Sequence, residues 1–125
     1  MDSKIKDGNV DFLMAAILKL ETVEECYAFF EDLCTVQEVR AMAQRIAVAH
    51  MLRDGWVYND IVAKTGASTA TISRVSRSRT YYGGEGYRIV FDRLTDEDKA
   101  LLPSRDEPKG GKNSQDNGGG QGDTE

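Results

Sequence analysis

The chain has 125 residues, 40% of them hydrophobic, with 16 basic and 21 acidic side chains and a formal net charge of −5. That length holds one small domain. With one histidine and two cysteines, it lacks the parts for a metal cluster or a Ser/His/Asp triad, so it does not read as an enzyme and no metal or prosthetic group is expected.

No apolar run approaches the roughly 20 residues of a membrane span. The opening MDSKIKDGNV has no apolar core of a secretory leader. A soluble, cytoplasmic chain without membrane contact is expected. Charge is unevenly spread: residues 1–34 carry −5, residues 35–93 carry +4 and residues 94–125 carry −4. Local potential governs encounter, so the basic middle is where a polyanion docks. A mixed solvated surface accounts for the same block.

The periodicity predicts helices throughout. In residues 9–20, Val10, Leu13, Met14, Ile17 and Leu18 fall at the i, i+3, i+4, i+7, i+8 spacing of one helical face. Thr22 and Glu25 are spaced as a capping box, in which each side chain satisfies a backbone N–H at the helix start. The helix they open carries Val23, Cys26, Tyr27, Phe30 and Leu33. Cys26 and Cys34 stand among core-type residues in no CxxC arrangement, which predicts buried free thiols.

Thr35 and Glu38 repeat the box and open a third helix to about Asp54, with Gly55 as terminator. At 1.5 Å per residue it is about 30 Å long. Its apolar residues (Val39, Met42, Ala43, Ile46, Ala47, Val48, Ala49, Met51 and Leu52) cover more than one face, as in a helix buried on several sides. About 100 structured residues would struggle to bury it alone, so an obligate homodimer whose helices wrap around it is expected; a monomeric bundle is the alternative. His50 reads as a helix-packing residue and Trp56 as a core anchor.

Two short helices follow, at about 58–65 and 68–78. The Gly-rich YYGGEGY then leads to a last amphipathic helix with Tyr87, Val90, Phe91 and Leu94 on one face. Those glycines lack the strand, helix and lysine of a phosphate loop, so they read as a connector. Residues 1–102 are the expected helical domain. Residues 103–125 hold both prolines, six of the twelve glycines and no apolar residue, which predicts an acidic, Gly-rich disordered tail.

The two short helices carry the chemistry. In NDIVAKTGASTATISRV, Val62 sits where a β-branched residue packs under the second helix. Gly66 permits a tight turn, and Ile72 anchors the second helix. This is helix-turn-helix spacing, at about 58–78. Ser68 is a good N-cap. Thr69, Ala70 and Ser73 then face outward, small enough for the backbone to approach base edges and able to hydrogen-bond or touch a thymine methyl. Arg77, Arg79 and Lys64, with Asn59 at the first helix start, are candidate phosphate contacts that set register.

Residues 35–79, TVQEVRAMAQRIAVAHMLRDGWVYNDIVAKTGASTATISRVSRSR, resemble the Trp repressor family, in particular its YerC/YecD-type members, and the likeness covers most of residues 10–95. It rests on T-x-x-E opening the long helix, an arginine midway, L-R-x-G ending it, and G-A-x-x-A-T-I-S-R forming the turn and second helix. The resemblance implies an all-α, intertwined homodimer with a helix-turn-helix in each subunit. It implies a sequence-specific transcriptional repressor acting on a double-stranded DNA operator.

It also implies an effector pocket, with Arg45 stacking on a ligand ring and Arg74 holding its carboxylate. Thr35, Thr71 and Ser78 would lie nearby. Val75 stands where the tryptophan-binding member has glycine, and Asp32 and Cys34 replace pocket leucines. Tryptophan is therefore disfavoured, leaving another amino acid, histidine first, or none. The alternative is a helix-turn-helix-shaped module that docks a protein instead of DNA.

Overall fold

In a computed structural model, the residues described are 3–81 and 84–104, the side chains of 79–81 excepted. Their regular structure is all helical: α1 (Gly8–Ile17), α2 (Val23–Leu33), α3 (Val36–Arg53), α4 (Tyr58–Thr65), α5 (Thr69–Tyr81), α6 (Glu85–Arg93) and α7 (Asp96–Lys99). The chain divides into two compact units, Met1–Arg40 and Ala41–Glu125, and the division falls within α3.

In the first unit each helix begins on a side-chain cap. Asp7 accepts the Val10 N–H at 2.9 Å, a cap that the sequence reading missed. Thr22 accepts the Glu25 N–H at 3.1 Å, but the Glu25 carboxylate takes the N–H of Glu21, not that of Thr22. The expected box at α2 is thus only half formed, because the flexible glutamate reaches one residue further back. At α3 both bonds are present: Thr35 Oγ1 accepts from Glu38 N at 3.1 Å, and Glu38 Oε1 accepts from Thr35 N at 2.8 Å.

None of the described residues of this unit is buried. Val10, Leu13, Ile17 and Phe30 are half-buried, whereas Phe12 (77%), Leu18 (83%) and Tyr27 (67%) are largely exposed. Cys26 is exposed and Cys34 half-buried, both free. The expectation of buried thiols fails within one chain, where no residue of α2 is buried and Cys34 is only partly covered.

The second unit holds the core. Val48, Ala49, Met51, Trp56, Ile61, Ala67, Ile72, Val75 and Phe91 form one buried cluster, with Leu52, Val62, Tyr87 and Leu94 packed against it. Val48, Ala49, His50 and Met51 are consecutive and all buried. They make a complete helical turn, so α3 is buried around its whole circumference at these four residues, just before the exposed Arg53. The reading of α3 as buried on several sides holds within one chain for this turn alone, since Val36, Met42 and Ile46 are exposed; His50 packs as expected, its ring edge-on to Phe91 with centroids 4.9 Å apart.

Gly55 ends α3 at φ 85°. Its N–H donates to Leu52 and that of Trp56 to Met51, a paired C-terminal cap that brings Trp56 back over the helix end. Phe91 is the buried residue of α6, while Val90, expected on the same face, is exposed. A 3.6-residue repeat moves Val90 about 100° from Phe91, enough to leave the covered face. Thr95 and Asp98 close a full capping box on α7, an element absent from the sequence reading.

Candidate nucleic-acid interface

The candidate interface is built from α4, the turn 66–68 and α5. Gly66 takes φ 72°, a left-handed conformation that a glycine adopts without steric cost, and its N–H donates to Val62. The turn is held from three sides. The Thr65 hydroxyl donates to the Ile61 carbonyl at 2.8 Å and accepts from Ala67 N–H at 3.0 Å. From α3, the Gln44 amide donates to the Thr65 carbonyl at 3.3 Å. Thr65 and Gln44 were not singled out from sequence. The Thr-Gly pair was a usable signal for the first, since a hydroxyl at a helix end bonds back to the preceding turn. The second contact joins residues 21 apart and had none.

Ser68 is the N-cap of α5, as its sequence position predicts. Its Oγ accepts the Thr71 N–H at 3.1 Å and donates to Thr71 Oγ1, also at 3.1 Å. The helix then divides by face. Ile72 (0% exposed) and Val75 (3%) enter the core, one turn apart. Thr69, Ala70, Arg74, Arg77 and Ser78 are exposed. Ser73, expected to face outward, is half-buried, as is Thr71. Ser73 directly follows the fully buried Ile72, about 100° around the helix, on the flank of the outer face.

The other predicted residues are placed as follows. Asn59 is exposed on α4, and Lys64 is half-buried and already engaged in an interaction. Arg45 is exposed on α3, in the second unit, and Thr35 is exposed in the first. Ser78 also borders a cleft of about 570 Å³ with Ile46, Glu85, Tyr87 and Val90. The Arg79 side chain lies outside the described residues.

In the same unit, Arg53 on α3 binds Asp92 on α6 at 2.5 Å, and Arg88 lies 3.7 Å from the same carboxylate. The Arg53 hydrogen bond holds the Asp92 carboxyl below its ordinary value; burial opposes it, and the charges of Arg53, Arg88 and Lys99 each add a lesser lowering. At α7 the Thr95 backbone N–H, then the Thr95 side chain, lower Asp98 in the same direction. The arrangement offers an N-capped helix end, small exposed side chains and exposed guanidinium groups on a packed base. Among the described residues no group of His, Cys, Asp and Glu side chains could hold a metal ion, and no helix is long and apolar enough to cross a membrane.

Comparison with known proteins shows the family and the fold. The YerC protein of Bacillus subtilis (strain 168) is 50% identical over 91 residues, which are 73% of this chain and 86% of that protein. A crystal structure of a Trp-repressor-type protein from Staphylococcus aureus superposes with a TM-score of 0.68 at 49% identity, covering 72% of this chain and 89% of the other. A TrpR-like protein from Eubacterium eligens ATCC 27750 gives 0.69 at 48% identity, covering 81% and 98%. The model of the Trp repressor protein family matches residues 8–95, and the chain belongs to that family of DNA-binding regulators.

Proposed function

We propose that the chain is a sequence-specific transcriptional repressor that binds double-stranded DNA as a homodimer. The observation that carries this reading is the division of α5. Its inner face is locked by Ile72 and Val75, while Thr69 and Ala70 in the capped first turn stand clear of the core. Small side chains there let the helix approach base edges in a major groove; a hydroxyl can pair with a base and a methyl can touch thymine. Ser73 borders the same face. The N-terminus of α5 favours a phosphate. Arg77 and, from sequence, Arg79 supply cations along the strand, with Asn59 and Lys64 contributing from α4.

The exposed apolar side chains of the first unit support the dimer. Phe12, Leu18, Val23, Tyr27, Leu33 and Val36 are each at least half exposed in one chain. Such a concentration of apolar surface marks an association site. A symmetric pair places two α5 helices for half-sites about 34–36 Å apart.

An effector held by Thr35, Arg45, Thr71, Arg74 and Ser78 is a reading from resemblance alone. Val75 is almost wholly buried in the core at the position that needs glycine for an indole. The Thr35 and Thr71 hydroxyls already serve the helix caps. Tryptophan is therefore not proposed for that position.

In-vitro selection from a random duplex pool tests the function. A recovered motif with two half-sites one helical turn apart is expected. Arg77→Ala should weaken binding to all duplexes alike and reduce the salt slope by about one, whereas Thr69→Val should change the preferred base. Recovery of no motif, with no duplex affinity at low salt, refutes the proposal.

A further inference from the structure

Within the second unit, α4 is fastened to α3 at both of its ends. At its start the fastening is covalent: residues 54–57 lead out of α3, and Trp56 among them is buried in the core. At its other end the fastening is a hydrogen bond. Gln44, half-buried on α3, donates its amide N–H to the Thr65 carbonyl at 3.3 Å, across 21 residues. From Gln44 to Arg53, α3 rises about 13–14 Å, and α4 covers about 10–11 Å. The two ties therefore hold α4 back along α3, separated by about its own length.

Apolar packing fills the space between. Val48, Ala49 and Met51 of α3 share one cluster with Ile61, Ala67 and Ile72. Hydrophobic burial has no preferred direction, whereas a hydrogen bond weakens steeply with angle and distance. The packing holds the α4–α5 segment down, and the Gln44 bond sets its angle.

Thr65 passes that constraint on. Its carbonyl is one of the last four of α4, which have no partner inside the helix. Its hydroxyl accepts the Ala67 N–H at 3.0 Å, and Ala67, 1% exposed, directly precedes Ser68, the cap of α5. A shift of Thr65 thus carries the start of α5 with it.

We infer that Gln44 is a positioning residue for DNA reading: through Thr65 it fixes the angle at which α5 stands on α3, and so sets how strictly the protein selects half-site spacing. The inference rests on the DNA-binding homodimer reading above. In a symmetric pair, an error at one head is repeated at the other, so the separation of the two α5 helices is doubly sensitive to this angle. One base pair changes the separation of the half-sites by about 3.4 Å and their relative rotation by about 35°. A fixed head cannot follow that change; a pivoting one can.

A glutamine amide donates and accepts, while an ionised glutamate only accepts. Gln44→Glu therefore keeps the shape and sets a charge against the carbonyl. Gln44→Met keeps the length with neither donor nor charge. Two variants are used so that poor folding of one, seen in its helical ellipticity, leaves the other to decide.

The test uses the full chain and the duplex recovered by selection, at its own half-site spacing and with one base pair added or removed between the half-sites. For the parent, each altered spacing should weaken binding about tenfold or more, as one lost base contact does. Both Gln44 variants should bind the selected duplex roughly tenfold less tightly than the parent, with a spacing penalty of about threefold or less. Asp92→Asn, which removes the Arg53 ion pair between α3 and α6, is the stability control. Its melting temperature should fall while its spacing penalty stays at the parent's value. A penalty unchanged in both Gln44 variants, or one that shrinks equally in Asp92→Asn, overturns the inference and leaves DNA binding standing. Failure of the parent to bind any duplex strikes the DNA-binding reading itself, and this inference with it.

Discussion

Replacing Gly66 separates backbone conformation from packing at the turn on which α5 depends. Gly66 holds φ 72°, and a Cβ built on it meets nothing within 4 Å. Gly66→Ala therefore introduces no clash, and only the cost of the left-handed conformation remains. For an L-residue that cost is about 1–2 kcal/mol. The smaller conformational freedom of alanine in the unfolded chain offsets roughly 0.4–1 kcal/mol, so a net loss of about 1 kcal/mol is expected. For a domain of about 60–100 residues this lowers the melting temperature by roughly 4–8 °C.

Asparagine visits the left-handed region more readily, so Gly66→Asn should lose about half as much. Helical ellipticity against temperature is the assay, at one protomer concentration, because the stability of a dimer depends on it. An alanine variant as stable as the parent, or an asparagine variant as damaged as the alanine one, refutes the reasoning. The first result means that the turn is not required to be left-handed. The second means that an unfavourable contact, not φ, sets the cost.

Ile72 is fully buried, so Ile72→Ala should cost about 2–5 kcal/mol and Ile72→Val about 0.5–1.5 kcal/mol in urea unfolding; equal effects would mean that the site collapses around the lost atoms. Phe12→Glu places a charge on a side chain 77% exposed in the single chain. Sedimentation should show dimer giving way to monomer, and an unchanged dimer would remove α1 from the interface. Asp92 titrates below its ordinary value of 3.8 because of the Arg53 hydrogen bond. A carboxyl lowered in the folded state stabilises fully above that ordinary value and loses its contribution as pH falls through the folded one. The stability gap between the parent and Asp92→Asn should thus be flat from neutral pH to about pH 5 and close below pH 3.8; a gap that persists in acid would show that charge is not its source.

Local rules carried much of the fold. The Thr35–Glu38 box, Gly55 after α3, Gly66 in the turn and the Ser68 cap are each set by atoms within about four residues, so spacing alone reveals them. The expected fold, all-helical with a tight turn before a helix rich in small polar residues, followed from those signals and from the Trp-repressor likeness. Where two local solutions compete, the sequence is silent: Glu25 bonds to Glu21 instead of Thr22, and both lie within reach of one flexible side chain. α7 went unread because four residues are too few for periodicity to register.

What the sequence by itself determined is therefore the run of helices apart from α7, several of their starts and stops, and the choice of the α4–α5 segment as the candidate face. Those depend on backbone hydrogen bonds and side-chain caps close along the chain. Only the tertiary structure decided which apolar residues are covered. It buries Val75 and Phe91 while leaving Val90 and Cys26 exposed, and it brings Gln44 to the Thr65 carbonyl. It also gathers His50, Trp56 and Lys99 around one cavity. Burial depends on what lies opposite a helix in space, and one helix's own periodicity carries no information about that.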